Sequence, residues 1–110
     1  MVYDADLADR IRELLGPIRG VDEKRMFGGL AFLINGHMSV AVSKQGGLIV
    51  RVPPDKTEGF LARAHVNPMV MAGRETRGWV RVDAEGVKTK RQLAGWVTRG
   101  VEYAHGLPPK

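Results

Sequence analysis

The chain has 110 residues, of which 44% are hydrophobic and 26% are charged, and it contains no cysteine. A chain of this length builds one hydrophobic core, so we predict a single domain over residues 1–110. The lack of cysteine excludes disulfides, thiolate nucleophiles and cysteine-bound zinc. The formal net charge of +5 permits attraction to nucleic acid or to an acidic partner, although many soluble domains carry a similar charge.

A helix is predicted at the start of the chain. Asp4 is a favourable N-cap, and Leu7, Ile11 and Leu15 recur at helical spacing, which predicts a helix over about 4–15. The segment carries aspartates and lacks the apolar run of a secretory signal, and no stretch of the chain approaches the roughly 18 apolar residues of a membrane span. We therefore expect a cytoplasmic protein without a membrane-spanning segment.

Strand signals fill the next segment, Val21–Val52, where the apolar period changes to two and turns divide the segment into three strands. Asn35 and Gly36 are typical of a type I′ hairpin, because both residues tolerate positive φ. Gly28 and Gly29 interrupt an apolar strand. Paired glycines there indicate a bulge or sheet corner, or a place where a partner approaches the backbone.

The hairpin turn predicts which side chains share a face of the sheet. In its register Leu33 pairs with Met38 and Ala31 pairs with Val40, and we expect this side to be the core. The opposite side is apolar at one end and polar at the other, which is typical of a protein contact. We predict a homodimer interface there, with coverage by an irregular segment of the same chain as the alternative. The predicted interface residues are Leu30, Phe32, Ile34 and Ile49.

The second half of the chain predicts a short helix and two more strands. Asp55 and Glu58 have the spacing of a capping box at the start of the helix. The Asn-Pro pair at 67–68 ends it. Strands are then expected at Met69–Met71 and at Gly78–Val82, where Trp79 and Arg81 alternate with valines.

A third helix closes the predicted fold. Thr89 and Gln92 form another capping box. One apolar stripe follows it: Leu93, Trp96, Val97, Val101 and Ala104. The element order is α-β(3)-α-β(2)-α, which predicts the α+β class with a largely antiparallel five-stranded sheet and helices packed on one face.

The residues Arg25, Met26, Phe27, Gly28 and Gly29, with the apolar strand and hairpin turn that follow, resemble the signature of the TfoX N-terminal domain family. The resemblance covers about residues 10–105 and implies a secretion-chaperone-like α+β fold without enzymatic activity. It also implies a regulatory setting, since the family is named after a bacterial regulator of DNA-uptake competence. Full-length competence regulators carry a second, C-terminal domain, for which we expect no room in 110 residues.

The residues themselves show no catalytic or metal-binding pattern. The three histidines stand apart from one another and from carboxylates at ligand spacing, and Ser39 and Ser43 lack a nucleophile elbow. We therefore expect no enzyme activity, no metal and no cofactor. A small-molecule pocket lined by Met26, Phe27 and Trp96 is an alternative.

Basic residues predict an alternative function, accessory binding of DNA or RNA. Two arginines flank Trp79, and three cations crowd the start of the third helix, where they oppose the helix dipole. Phosphate oxygens at that helix start would offset the unfavourable charge placement. A solvated basic face is the simpler interpretation. The residues concerned are Arg77, Arg81, Lys88, Lys90 and Arg91.

Overall fold

Three helices and six strands make up the described part of the chain. The computed structural model describes residues 4–26, 28–43, 46–71 and 73–108. The helices are α1 (Ala5–Leu15), α2 (Thr57–Leu61) and α3 (Lys90–His105). The strands are β1 (Val21–Met26), β2 (Gly29–Ile34), β3 (His37–Val42), β4 (Leu48–Arg51), β5 (Val66–Met71) and β6 (Arg74–Val82). Short 3₁₀ turns at Pro54–Lys56 and Ala84–Val87 precede α2 and α3.

The six strands form one sheet in the order β1, β2, β3, β4, β6, β5, and each neighbouring pair is antiparallel. The first four strands form a meander, and β6 lies between β4 and β5. The predicted α+β class is confirmed. The predicted five-stranded sheet is corrected to six strands.

The additional strand arises at the paired glycines. Met26 lies opposite Gly29 in the pairing of β1 with β2, so the chain reverses direction there and does not merely bend. Gly28 has a φ of 75°, a left-handed conformation that glycine adopts without steric cost. The predicted kink is therefore a hairpin, and β1 becomes an edge strand of the sheet.

The hairpin between β2 and β3 has the predicted turn but an unpredicted bulge. Asn35 and Gly36 have φ values of 51° and 87°, as a type I′ turn requires. Leu33 pairs with Met38 as predicted, but Phe32 pairs with Val40, so that Ser39 is an extra residue in β3. The Ser39 hydroxyl donates a 2.9 Å hydrogen bond to the Phe32 carbonyl oxygen.

After this bulge, the side chains of β3 lie on the opposite faces of the sheet from those that the predicted register gives them. Beyond Ser39, Val40 lies on the side of Phe32, while Ala41 pairs with Ala31 on the side of Leu33. The expected pairing of Ala31 with Val40 is therefore wrong, as is the choice of core face that followed from it. Side chains alternate between the two faces along β4 as well, so Leu48 and Val50 of β4 lie on the helix side with Val40.

The predicted dimer interface lies mostly in the core. Leu30, Phe32 and Ile34 are at most 5% exposed and pack against α1 and α3, so they offer no surface to a partner. Ile49, the fourth predicted residue, is also buried but lies on the opposite side of the sheet. The exposed cluster predicted from these four residues does not exist.

The helices cover the core as their apolar stripes predict. The α3 stripe is confirmed, because none of its five predicted members is more than 7% exposed. The α1 residues Leu7, Ile11 and Leu15 are buried in the same core. Asp4 caps α1 by accepting a hydrogen bond from the Leu7 amide.

The start of α3 confirms one predicted capping box, and the start of α2 contradicts the other. Thr89 and Gln92 cap α3 reciprocally. At α2 neither Asp55 nor Glu58 makes a capping hydrogen bond. Instead the buried Thr57 hydroxyl donates to the Pro54 carbonyl oxygen at 2.9 Å and accepts from the Gly78 amide at 2.8 Å, which fastens α2 to β6.

The pair Asn67 and Pro68 lies inside β5, although the sequence predicts it to end a helix. Because β5 is an edge strand, a proline there removes no hydrogen bond from the interior of the sheet. Both β5 and β6 are longer than the strands that the sequence predicts.

Candidate functional site

The side of the sheet that faces away from the core carries a second apolar cluster, which we call the open face. It consists of Ala31, Ala41, Ile49 and Met69, all buried, with Met26, Leu33, Met38 and Trp79 packed around them as partly buried side chains. None of the residues in this cluster comes from a described helix. The open face is therefore an apolar surface built from the sheet alone.

The side-chain sizes explain how this cluster is buried without a helix. Ala31 and Ala41 are direct neighbours across β2 and β3, and Ile49 lies next in line on β4. Longer side chains in the adjacent row, among them Leu33 and Met38, pack against this cluster. The small residues are thus buried by their neighbours, while the larger ones remain partly exposed.

A depression of about 370 Å³ lies on the open face near the turn between β2 and β3. Its lining combines partly exposed apolar side chains with two cations. The lining residues are Lys24, Met26, Leu33, Gly36, Met38, Arg51 and Trp79. The depression is large enough for one or two side chains of a partner.

Arg51 is held in place by aromatic rings at the edge of the depression. Its guanidinium carbon lies 5.3 Å from the centre of the Trp79 ring and 5.4 Å from that of Tyr103. Trp79 lies directly opposite Arg51 on β6, and Tyr103 reaches it from the end of α3. Such cation–π contacts orient the guanidinium and leave its N–H groups available.

The charge of the open face is mainly positive. Lys24, Arg51 and Arg81 lie in its strands, against Asp22 at the margin opposite Leu33. Within residues 4–26, 28–43, 46–71 and 73–108, neither Lys24 nor Arg51 forms an ion pair. Arg81 donates long hydrogen bonds of 3.4 and 3.5 Å to the Ser43 hydroxyl and the Gly46 carbonyl oxygen.

The motif residues lie around the hairpin between β1 and β2. Arg25 is exposed on the helix side opposite Leu30, whereas Met26 points to the open face. Gly28 is exposed and Gly29 is buried. Phe27 lies outside the described residues, so its predicted role in the motif and in a pocket is not addressed by the structure.

The predicted small-molecule pocket is not formed by Met26 and Trp96. Met26 packs on the open face, whereas Trp96 lies in the core under α3, on the other side of the sheet. No single cavity can be lined by both side chains.

The five residues predicted to bind nucleic acid are divided between two elements. Arg77 donates to the Pro54 carbonyl oxygen, and Arg81 lies four residues further along β6, about 13 Å away. The other three, Lys88, Lys90 and Arg91, are exposed at the start of α3. The helix start is thus basic and accessible, whereas Arg81 pairs with Ile49 and extends from the open face of the sheet.

The open face was not predicted, because the register expected from the hairpin turn places Leu33 and Met38 in the core. One available signal was the predicted alternation of Trp79 and Arg81 against valines, which the register of β4 with β6 confirms. A tryptophan and an arginine on one side of a strand indicate a face that is only partly buried. In β2 and β3 the same face could not be predicted, because the bulge at Ser39 shifts the register of the two strands.

Neither a metal-binding cluster nor a membrane-spanning helix is found among the described residues. Among the described residues, no three histidine, aspartate or glutamate side chains group closely enough to hold a metal ion. No described helix has both the length and the apolar character needed to cross a bilayer.

The fold and the open face define a class of protein: a small α+β domain that presents a bare, partly apolar sheet surface. The family model of the TfoX N-terminal domain matches residues 13–104, and the chain belongs to that family. In the comparison with curated proteins, nothing matches the chain.

Proposed function

We propose that this domain is a non-enzymatic protein-interaction module with a regulatory role in the cytoplasm, and that it binds its partner on the open face. The observation that carries the proposal is the depression in which Trp79, Leu33 and Met38 remain partly exposed beside Lys24 and Arg51. Membership of the TfoX N-terminal domain family supports a regulatory setting, because the family is named after a competence regulator.

The chemistry of the depression favours an acidic segment that also carries an apolar side chain. Lys24 and Arg51 supply two cations, and no acidic residue of the described chain lines the same depression. Trp79 and Arg51 are of the residue types that dominate binding energy at interfaces, and methionines adapt their shape to a partner. A carboxylate facing Arg51 and an apolar side chain against Trp79 would complement both properties.

A second copy of the chain is the other candidate occupant, and it is the homodimer predicted from sequence. The structure removes Leu30, Phe32 and Ile34 from such an interface, because they lie in the core. Two open faces meeting would also bring Lys24 and Arg51 against cations of the same kind. An acidic partner is electrostatically the better match.

A titration with an acidic peptide tests the proposal. The probe is a short peptide in which leucine and phenylalanine are flanked by glutamates, and binding is followed by amide chemical shifts in NMR spectra. We expect shifts confined to the open face and at least tenfold weaker binding by Lys24→Glu/Arg51→Glu. The matched control is Lys90→Glu/Arg91→Glu, which changes the net charge equally but lies at the start of α3.

Two outcomes would contradict the proposal. Equal weakening by both double variants would show that net charge alone attracts the peptide and would overturn the open face as the binding surface. Concentration-dependent dimerisation in sedimentation, abolished by Trp79→Asp, would assign the face to a second copy and overturn the acidic partner. Thermal melts of each variant establish that the fold is retained.

Nucleic-acid binding is the second candidate function, favoured by the three exposed cations at the start of α3. The control variant above tests it directly. If the function is real, wild-type protein binds an oligonucleotide with an affinity that falls steeply with salt, and Lys90→Glu/Arg91→Glu loses that affinity for every sequence. Undetectable binding at low salt would reject it.

A further inference from the structure

Two arginines lie over one pair of aromatic rings on the helix side of the molecule, away from the open face. Phe60 of α2 and Trp96 of α3 pack edge to face, with ring centres 5.7 Å apart. The Arg63 guanidinium carbon lies 5.2 Å from the Phe60 ring centre and 5.9 Å from that of Trp96. For Arg99 the corresponding distances are 5.7 Å and 4.8 Å.

The fold brings these four side chains together from separate parts of the chain. Phe60 and Arg63 come from α2 and the residues after it, whereas Trp96 and Arg99 lie one turn apart on α3. Trp96 is only 7% exposed and belongs to the core, so the floor under the two guanidiniums is fixed. Arg63 itself is exposed, and Arg99 is partly exposed.

Like charges are held close together in this arrangement. Burial lowers the pKa of the Arg99 guanidinium, the charge of Arg63 lowers it further, and the charge of Glu102 acts in the opposite direction. Neither arginine forms an ion pair within the described ranges of the chain. Cation–π contacts hold each guanidinium on the rings, but they leave the repulsion between the two charges in place.

We propose that Arg63 and Arg99, on the floor formed by Phe60 and Trp96, bind a phosphate group. A phosphate monoester carries about two negative charges near neutral pH, which matches two guanidiniums, whereas a single carboxylate carries one. Arginine forks bind phosphate oxygens through paired N–H groups. The aromatic floor excludes water from one side, which strengthens the attraction. The phosphate is therefore the terminal group of a phosphorylated compound, because a phosphodiester of a nucleic-acid backbone carries one charge only.

The test uses Trp96 as the reporter. The chain has two tryptophans, so the Trp79→Phe background leaves Trp96 as the single one. Inorganic pyrophosphate is titrated at constant ionic strength while Trp96 fluorescence is recorded. We expect a saturable change that becomes at least tenfold weaker in Arg63→Gln/Arg99→Gln. The control, Lys88→Gln/Arg91→Gln, removes two charges elsewhere and should bind as the parent does.

Two further ligands test the choice of a phosphate monoester. A short single-stranded oligonucleotide, whose phosphates carry one charge each, should bind these arginines more weakly than pyrophosphate does, and oligonucleotide binding that needs both arginines without any binding of pyrophosphate would overturn the proposal. Equal affinity for the dicarboxylate glutarate would overturn the choice of phosphate.

Because Arg63 is exposed, Arg63→Gln alone serves if the double variant fails to fold. Unchanged pyrophosphate affinity in that variant, or no saturable signal in the parent, would overturn the site. The peptide titration on the open face is unaffected by any of these results.

Discussion

Gly100 shows how closely α3 packs on the sheet. A Cβ atom added there would lie 2.6 Å from the Ser39 carbonyl oxygen and 2.8 Å from Val40 Cγ1. The bulge at Ser39 and the missing side chain at Gly100 therefore occupy the same contact. A residue with any side chain at position 100 would push the helix away from the strand.

Replacement of Gly100 by alanine is expected to destabilise the fold by about 1–3 kcal/mol, the usual cost of overpacking. The control in the same helix is Gly95→Ala, where the added Cβ would meet only Arg99 Nη1 at 3.5 Å. That substitution should stabilise the protein by about 0.5–1 kcal/mol, because alanine is the better helix former. Urea unfolding measures both. A stabilising Gly100→Ala would contradict the close approach of α3 to β3.

At the scale of elements, one ion pair outside the core links α1 to β1. Arg12 donates to both Glu23 carboxylate oxygens, at 2.8 and 2.7 Å, and also to Asp9 at 2.7 Å. The hydrogen bonds from Arg12 lower the pKa of Glu23 below its ordinary value. Because both side chains are substantially exposed, the contribution to stability is modest and decreases with added salt.

The pKa direction gives this contact a pH dependence with a definite sign. The folded-state pKa of Glu23 lies below its unfolded value of about 4.3, so the stabilisation is present above the unfolded value and is lost as the pH falls through the folded one. Glu23→Gln should lower Tm by a few degrees at most at pH 7 and leave it unchanged at low pH. The control is the exposed Glu13→Gln on α1. A Tm difference that persists in acid would contradict the assignment.

Local signals predicted the elements better than their pairing. The caps at Asp4 and Thr89 and the turn at Asn35 depend on residues within a few positions, and the structure confirms them. The bulge at Ser39 lies where Gly100 of α3 packs closely on β3, a contact between distant parts of the chain. No local pattern reports such a contact, so the face of the sheet was assigned to the wrong side.

At the scale of the molecule, the two sides of the sheet should respond differently to truncation. Ile34 is fully buried under the helices, whereas its neighbour Leu33 is partly exposed on the open face. Ile34→Ala should therefore cost about 2–5 kcal/mol in the free energy of unfolding, and Leu33→Ala about 1 kcal/mol or less. Denaturant titrations of both variants make the comparison. A larger cost at Leu33 would place the core on the other side.

The insertion of β6 between β4 and β5 affects the order in which the chain can fold. The meander from β1 to β4 pairs through short turns and can form as soon as it is synthesised. The side of the meander that α3 covers stays exposed to water until the 16 residues of that helix have been synthesised. On the ribosome the nascent meander therefore exposes a large apolar surface, and the synthesis of α3 is what protects it from aggregation.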